Sequence, residues 1–423
     1  MNVLIVNAIL IGDNNATGVT MENMLLHMEG VNYLQFCIDY QKKNHEEAVD
    51  TIYLATNDSI SDYLINVIKT RKNSGPKSAT RQSVVTSANN GSALGEVFRG
   101  FCDALPCRIS SDNLAIIRDF SPQLIYTMGA NIRVMRIASK LSDYFSIPIV
   151  FHCMDDWRAT KYMRSALSTP YNHMLRKEIS EINKRSVVNL GICKKMADFY
   201  ACEYQKPYLF ASNCVFEFNR NPYCPNSSGT MKIIFSGGLH FHRGDKLRQV
   251  GELIERLNIQ GYHIILNIYA PKEEAAQYAR KYEVLQYTNC FPYVVKSRKM
   301  ENLMSADILL HVESDDEADK KHMKYSFSTK LVEYFAAARA VVGFGDKQLS
   351  SIEYIEDIKC GLTAENIDEL ERCFLLLYSD LELRKKYAEN SLNVAISCHS
   401  QKAVQRKILN VFETSIGENR EKD

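Results

Sequence analysis

The sequence has few of the features that mark membrane-spanning, disulfide-bonded or dinucleotide-binding proteins. No apolar run approaches the ~20 residues that a spanning helix needs. The twelve cysteines are scattered and form no CxxC pair, so we interpret them as buried free thiols in a reducing cytoplasm. No GxGxxG motif follows the first predicted strand, which argues against a dinucleotide site.

A strong charge of one sign is missing as well. The formal net charge is +1 over 423 residues, which argues against a dedicated nucleic-acid binder. No basic stretch precedes the apolar residues 2–10, so we expect no signal peptide and a cytoplasmic location. With 46% hydrophobic and 24% charged residues the composition is that of a globular protein, and the length suits two domains.

The first half alternates between predicted strands and helices. A strand at residues 2–10 leads through a turn that contains Gly18 to a helix at 21–28. By itself Gly18 suits a plain strand–helix turn. Polar residues 69–92 predict a surface loop or insertion, and residues 217–230 predict an inter-domain linker. The other predicted strands are 51–55, 124–127, 147–153, 186–193 and 207–213, with helices at 131–142 and 194–204.

Polar residues cluster where the predicted strand 147–153 ends. His152 lies near that end, Asp155 and Asp156 follow it, and the carboxyl ends of parallel strands are where α/β sheets bind ligands. The two aspartates suit a helix cap, the binding of hydroxyl groups, or orientation of the His152 ring. A metal site has weak support, because no further ligand follows at a fitting spacing.

Residues 158–185 carry seven Lys or Arg side chains among aromatic and aliphatic ones. Basic amphipathic segments of this kind bind anionic membrane surfaces. The alternative is a solvated helical face with a few ion pairs.

The second half opens with another strand, glycine turn and helix. Gly237 and Gly238 follow the predicted strand 231–235, and Arg243 precedes a helix predicted at 245–257. A glycine turn at the end of a strand lets a phosphate approach the backbone, and a guanidinium is permanently charged. The acidic residues 313–317 fit an exposed loop better than a metal site. Strands are also predicted at 263–270, 291–294 and 306–312, and helices at 367–378, 380–395 and 401–416.

Residues 325–344 predict a helix start, a helix and a buried strand. The hydroxyl residues at the start, Ser326, Ser328 and Thr329, are N-cap types. Lys330 and Glu333 lie three apart and share a helix face. A helix start with a lysine is suited to an anion, and a glutamate one turn further can accept hydrogen bonds from the diol of a ribose. The alternative is a capped helix with an exposed Lys–Glu pair.

The pattern SxSTKLVEYxAxxxxVV at 326–342 resembles the donor-binding segment of GT-B nucleotide-sugar glycosyltransferases, in particular the retaining glycosyltransferase family 4. The loop 236–244, which ends in Arg243-Gly244, resembles the phosphate loop of the same group. Two departures occur. Tyr325 stands where many members carry a second acid, and Ala338-Arg339-Ala340 stands where Gly-Xaa-Pro is usual.

The resemblance implies an α/β protein with the GT-B fold, in which two Rossmann-like domains face a cleft. Residues 1–216 with the returning helix 400–423 would bind the acceptor, and residues 217–399 the donor. It implies a metal-independent, retaining sugar transfer from a nucleotide sugar to a saccharide or lipid-linked saccharide, in bacterial surface polysaccharide synthesis. No cofactor besides the nucleotide sugar and no nucleic acid is expected. Because acceptors of the resembled family are often lipid-linked, we expect peripheral contact with the inner face of the cell membrane.

The resemblance also assigns the site residues. Arg243, Lys330 and His152 are expected to act in catalysis, and Gly18, Asp155 and Asp156 to lie on the acceptor side. The expected donor-binding residues are Gly237, Gly238, Ser326, Ser328, Thr329 and Glu333. Two other functions stay open: a GT-B sugar-nucleotide 2-epimerase, and a non-catalytic protein that binds nucleotide sugars or glycans.

Overall fold

The computed structural model describes residues 1–13, 15–38, 48–53, 93–221, 223–225 and 229–420. The chain divides into two compact units, Met1–Ala211 with Lys407–Asp423 and Ser212–Arg406. The sequence prediction divided the chain at 216/217 and 399/400. The polar stretch 69–92 and parts of the predicted linker 217–230 lie outside the described residues.

The described residues of unit 1 form a seven-stranded parallel sheet with the order β3-β2-β1-β4-β5-β6-β7. Strand β2 was not predicted. Its central residue Gln35 is polar and buried, and its side chain is satisfied there because it donates to Ile9 O and accepts from Ile11 N. The strands are β1 Asn2–Asn7, β2 Asn32–Cys37, β3 Asp50–Tyr53, β4 Leu124–Thr127, β5 Ile149–Cys153, β6 Asn189–Gly191 and β7 Tyr208–Phe210.

The described helices of unit 1 include several with side-chain caps, such as Asn131, which accepts from Val134 N at 2.9 Å. The predicted basic segment 158–185 is broken into α5, a short 3-10 helix at Ala166–Ser168, and α6. The helices are α1 Ala16–Leu25, α2 Ala93–Ala104, α3 Ser111–Phe120, α4 Ile132–Phe145, α5 Trp157–Thr160, α6 Thr169–Arg185 and α7 Lys194–Tyr204.

Unit 2 repeats the strand order of unit 1 in a six-stranded parallel sheet, β10-β9-β8-β11-β12-β13. The strands, which read as near-continuous apolar runs because helices cover both faces, are β8 Met231–Ser236, β9 Ile264–Ala270, β10 Thr288–Pro292, β11 Ile308–Val312, β12 Ala340–Phe344 and β13 Gly361–Ala364.

The last helix, α16, begins in unit 2 and continues into unit 1 at Lys407. Its Phe412 ring packs edge-on against Tyr126 of β4, which anchors the helix to the first sheet. The helices are α8 Arg243–Ile259, α9 Lys272–Tyr282, α10 Lys299–Met304, α11 Glu317–Met323, α12 Thr329–Ala336, α13 Ser350–Asp357, α14 Ile367–Ser379, α15 Leu381–His399 and α16 Gln401–Arg420.

The predicted α/β class with two Rossmann-like sheets is confirmed. All twelve cysteines are free thiols, and eight of them are buried. In the part of the chain that is described, no helix is both long and apolar enough to cross a bilayer.

Candidate functional site

The predicted donor-binding residues meet at the carboxyl edge of the unit 2 sheet. The strand order reverses direction between β8 and β11, and this switch point is where open α/β sheets bind ligands. Gly237 follows β8, Glu313 follows β11, and the helices α8 and α12 begin at Arg243 and Thr329 on the same edge. The edge therefore brings together the two segments, 236–244 and 325–344, that were singled out separately in the sequence.

The glycine turn lies against the start of α12. A Cβ atom on Gly237 would lie 2.7 Å from Cζ of Phe235 and 3.5 Å from Cδ of Lys330, so a larger residue does not fit without displacement. The hydroxyl of Tyr334 accepts from Ser236 N at 2.8 Å and donates to Ser236 O at 3.3 Å. Tyr334, which sequence reasoning did not single out, thereby pins α12 to the end of β8.

The first N–H groups of α12, those of Thr329 and Lys330, have no hydrogen-bond acceptor among the described residues. Ser328 has the extended backbone of an N-cap residue, but its side chain makes no capping hydrogen bond. Its own N–H donates to Ser351 Oγ at 3.0 Å. The predicted hydroxyl cap is therefore not formed by Ser328, and the positive end of the helix stays open to an anion.

Lys330 is partly buried beside the glycine turn. Within the described residues its ammonium makes no hydrogen bond and no ion pair, although most charged groups around it do. Burial lowers the pKa of Lys330; Glu333 opposes this, while the positive charges of Arg243 and Lys299 add to it. A desolvated cation without a counter-ion costs free energy that a bound anion would recover.

Arg243 is held by a buried carboxylate. Its Nη2 donates to Glu313 Oε2 at 2.6 Å and its Nε to the same atom at 3.2 Å, while Nε also donates to Val312 O at 3.1 Å. On the other side His311 Nε2 donates to Glu313 Oε1 at 3.0 Å. Burial favours the neutral acid, but Arg243 and His311 hold the pKa of Glu313 at about 2.

The fixed geometry exposes one edge of the Arg243 guanidinium. Among the described residues no acceptor reaches Nη1, so this nitrogen can donate to a ligand at the switch point. Glu313 had been interpreted as part of an exposed acidic loop. The available signal was its position directly after a buried strand, where side chains face the ligand edge.

Glu333 has a partner that the sequence did not predict. Its Oε1 accepts from Lys299 Nζ at 2.6 Å, and both side chains are partly exposed. Lys299 opens α10, more than thirty residues earlier, so spacing along the chain gives no hint of this pair. A ribose at Glu333 would share or replace this ammonium.

The acidic residues beyond Glu313 are occupied by protein groups. Asp315 pairs with Lys246, and Asp316 caps α11 by accepting from Ala318 N and Asp319 N. Asp319 accepts from Ser314 Oγ and lies 2.9 Å from His242 Nδ1. His242, Asp316 and Asp319 have ligand atoms within 4.8 Å of one another, the one such group among the described residues, but each has a structural role.

His152 was expected to act on the sugar, and the structure contradicts this. Its ring is fully buried inside β5. Nε2 lies 3.0 Å from Ala211 O, which can only accept, so Nδ1 accepts from the Tyr126 hydroxyl at 2.7 Å. Burial lowers the pKa of His152 to about 4, with the bond to Ala211 opposing. Both nitrogens are committed to the core, because residue 152 lies within the strand and not beyond its end.

Asp156 is also a structural residue. It is buried, accepts from the Tyr200 hydroxyl at 2.9 Å, and lies 3.4 Å from Arg158 Nε. Arg158 in turn is buried with its guanidinium 4.9 Å from the centre of the Tyr200 ring. The surface exposure expected for Arg158 is therefore wrong, and Asp156 Oδ1 is taken by protein groups, so an acceptor contact of Asp156 stays a prediction. Asp155 is partly exposed and stays a candidate.

Gly18 has a packing reason to be glycine. It lies in the first turn of α1, where its N–H donates to Asn15 Oδ1 at 2.8 Å and its carbonyl accepts from Gly12 N at 3.1 Å. A Cβ there would lie 2.6 Å from Asp13 O. The interpretation as a strand–helix turn accounts for this residue without a ligand.

No protein-family profile matches the chain, and no curated protein matches it either. Solved structures do match over their whole length. The Anabaena protein HepE in complex with UDP has a TM-score of 0.61 at 11% identity, with 98% of this chain and 100% of that one covered. The fold is GT-B.

Two further structures with the GT-B fold are similar along the whole chain. WaaG, a glycosyltransferase involved in lipopolysaccharide biosynthesis, has a TM-score of 0.52 at 12% identity, covering 96% of this chain and 98% of its own. Sucrose-phosphate synthase from Thermosynechococcus elongatus has a TM-score of 0.59 at 9% identity, with 99% of each chain covered. At identities this low, the structural similarity establishes the fold of this chain and nothing further.

Proposed function

We propose that this protein is a glycosyltransferase that takes a sugar from a nucleotide-sugar donor bound in unit 2. The observation that carries the proposal is the Lys330 ammonium, which has no acceptor among the described residues and lies beside a glycine turn and an open helix start. The Arg243 guanidinium adds a second positive group at the same edge. HepE, with the same fold, has been solved with UDP and with UDP-glucose, which supports a nucleotide sugar as the donor.

The chemistry needs stabilisation of a leaving nucleoside diphosphate. Breaking the bond between the anomeric carbon and the phosphate oxygen leaves negative charge on the diphosphate. Lys330, Arg243 Nη1 and the N–H groups of Thr329 and Lys330 are arranged to neutralise this charge, so the reaction as we propose it needs no metal. Glu313 keeps the guanidinium at the switch point while this charge develops.

The donor ribose is proposed to bind at Glu333. The carboxylate now accepts from Lys299, and a diol offers the same kind of donor from the opposite side. A diol that donates to both carboxylate oxygens of Glu333 would therefore share Oε1 with the Lys299 ammonium or displace it. Retention of configuration at the anomeric carbon is proposed by family resemblance.

The acceptor is proposed to be a saccharide or a lipid-linked saccharide of a bacterial surface polysaccharide. WaaG supports this through its involvement in lipopolysaccharide biosynthesis. Peripheral contact with the membrane is proposed through the exposed cations of the segment 158–185, which include Arg164, Arg176 and Lys177. Arg158 is buried and Arg185 pairs with Asp143, so the charge available to a membrane is smaller than the sequence predicted.

The test incubates the protein with a panel of UDP, GDP, ADP and dTDP sugars and a membrane extract as acceptor. The quantity measured is the release of the nucleoside diphosphate. Replacing Arg243 or Lys330 by Ala should lower kcat by about two orders of magnitude. Lys386→Ala, an exposed lysine of the same unit, is the control and should be unaffected. Activity should survive EDTA, and loss in chelator would point to a metal at His242 and Asp319.

Two results would replace the proposal. Interconversion of the donor sugar without any acceptor would indicate an epimerase. Donor binding with no nucleotide release under any condition would indicate a binding protein, which the substitution of Tyr325 for the usual acid also allows.

A further inference from the structure

Helix α2 has its apolar face turned outward. Leu94, Phe98 and Phe101 follow the i, i+4, i+7 spacing of one helix face. Their exposed fractions are 75%, 39% and 45%, so the described residues leave a large part of each side chain uncovered. An aromatic stripe of this kind on the surface is unusual for a monomer and marks an interaction surface.

The polar side of the same helix is fixed against unit 1. Glu96 accepts from the backbone N–H of Met163 at 3.0 Å and of Arg164 at 2.8 Å. Asp103 is buried and accepts from the Tyr162 hydroxyl at 2.7 Å. These bonds set the rotation of the helix about its axis, so the apolar stripe cannot turn inward without breaking them.

The turn that Glu96 holds against α2 has the same character. Met163 and Leu167 are exposed, and Arg164 between them is exposed and basic. Residues 157–177 contain five Lys or Arg and no Asp or Glu. Arg158 is buried, whereas Arg164 and Arg99 of α2 are exposed. The acid of α2 nearest to them, Glu96, directs its carboxylate to the backbone N–H groups of Met163 and Arg164, so the exposed charges beside Phe98 and Met163 include two cations.

We propose that this surface, Leu94, Phe98 and Phe101 of α2 with Met163 and Leu167, inserts into the interface of an anionic lipid bilayer. Apolar side chains in the headgroup region with flanking cations are the arrangement by which interfacial helices bind such bilayers. The inference names the inserting element of the membrane contact proposed above and is independent of the donor site. Because the main contact is apolar, part of the binding should resist salt, unlike attraction by the cations alone.

The test uses the full chain and vesicles of phosphatidylglycerol and phosphatidylcholine. The triple variant Leu94→Ser, Phe98→Ser, Phe101→Ser should bind them at least about tenfold more weakly, since binding scales with buried apolar area. The control Ile116→Ser, Ile259→Ser, Val284→Ser removes three exposed apolar residues elsewhere and should bind as the unaltered protein does. UDP affinity should be the same in both variants, which separates this proposal from failure of the proposed donor site.

Insertion can also be measured without loss of the stripe. In Phe98→Trp, brominated lipids should quench the fluorescence of the added tryptophan. In the control Ile116→Trp, they should leave the fluorescence of the added tryptophan unchanged. Trp157 is present in both variants, so its contribution is the same in each. Vesicle binding that is absent, or equal in the triple variant and the control, would overturn the proposal. So would a concentration-dependent dimer that the triple variant abolishes, because the stripe would then bind a second copy of the chain.

Discussion

Lys330 provides the sharpest test of the site. Lys330→Met keeps most of the side-chain volume and removes the charge. A hydrogen bond to a charged group contributes about 1.5–3 kcal/mol, so UDP should bind roughly 10- to 150-fold more weakly. Uridine lacks the diphosphate, and its affinity should not change. Titration calorimetry with both ligands measures the difference directly, and Lys386→Met serves as the control protein.

The pH dependence adds an independent check. Burial lowers the pKa of Lys330, so the ammonium loses its proton at lower pH than an ordinary lysine, which titrates at about 10.4. UDP affinity should therefore fall as the pH rises toward that range, and Lys330→Arg should abolish the fall because its guanidinium stays charged. Unchanged UDP affinity in Lys330→Met, or an equal loss for uridine, would refute a contact with the diphosphate.

Three further predictions concern neighbouring groups. Glu333→Gln should weaken both UDP and uridine by roughly 1–3 kcal/mol in calorimetry, because the ribose is common to them; a loss confined to UDP would exclude the ribose contact. Glu313→Gln should lower kcat about tenfold or more with little change in KM, since Arg243 loses its orientation; an unchanged kcat would show that the carboxylate only packs. The pKa of His152 is about 4 in the folded protein, against ~6.5 in the unfolded chain, so protonation favours unfolding. The free energy of unfolding should keep its full value above pH ~6.5 and fall by up to about 3 kcal/mol toward pH 4. Urea unfolding of His152→Asn should lack that component, and an identical pH profile would contradict it.

Sequence alone determined the α/β class and the two segments that meet at the candidate site. Gly237, Arg243 and Lys330 could be found because strand, glycine turn and helix start are local patterns, in which spacing decides which groups face the ligand edge. The apolar runs of β8, β11 and β12 were equally legible, because strands covered on both faces carry no alternation.

The tertiary structure decided which charges are available. Lys299 reaches Glu333 from another helix. Glu313, which binds Arg243, follows β11, a strand that lies beside β8 in the sheet but is separated from it in the sequence. His152 has the residue type of a catalytic group, yet the core takes both of its nitrogens. Two residues that are far apart in the chain produce no regular sequence spacing from which their contact could be predicted. The burial of a side chain depends on all the elements that pack around it.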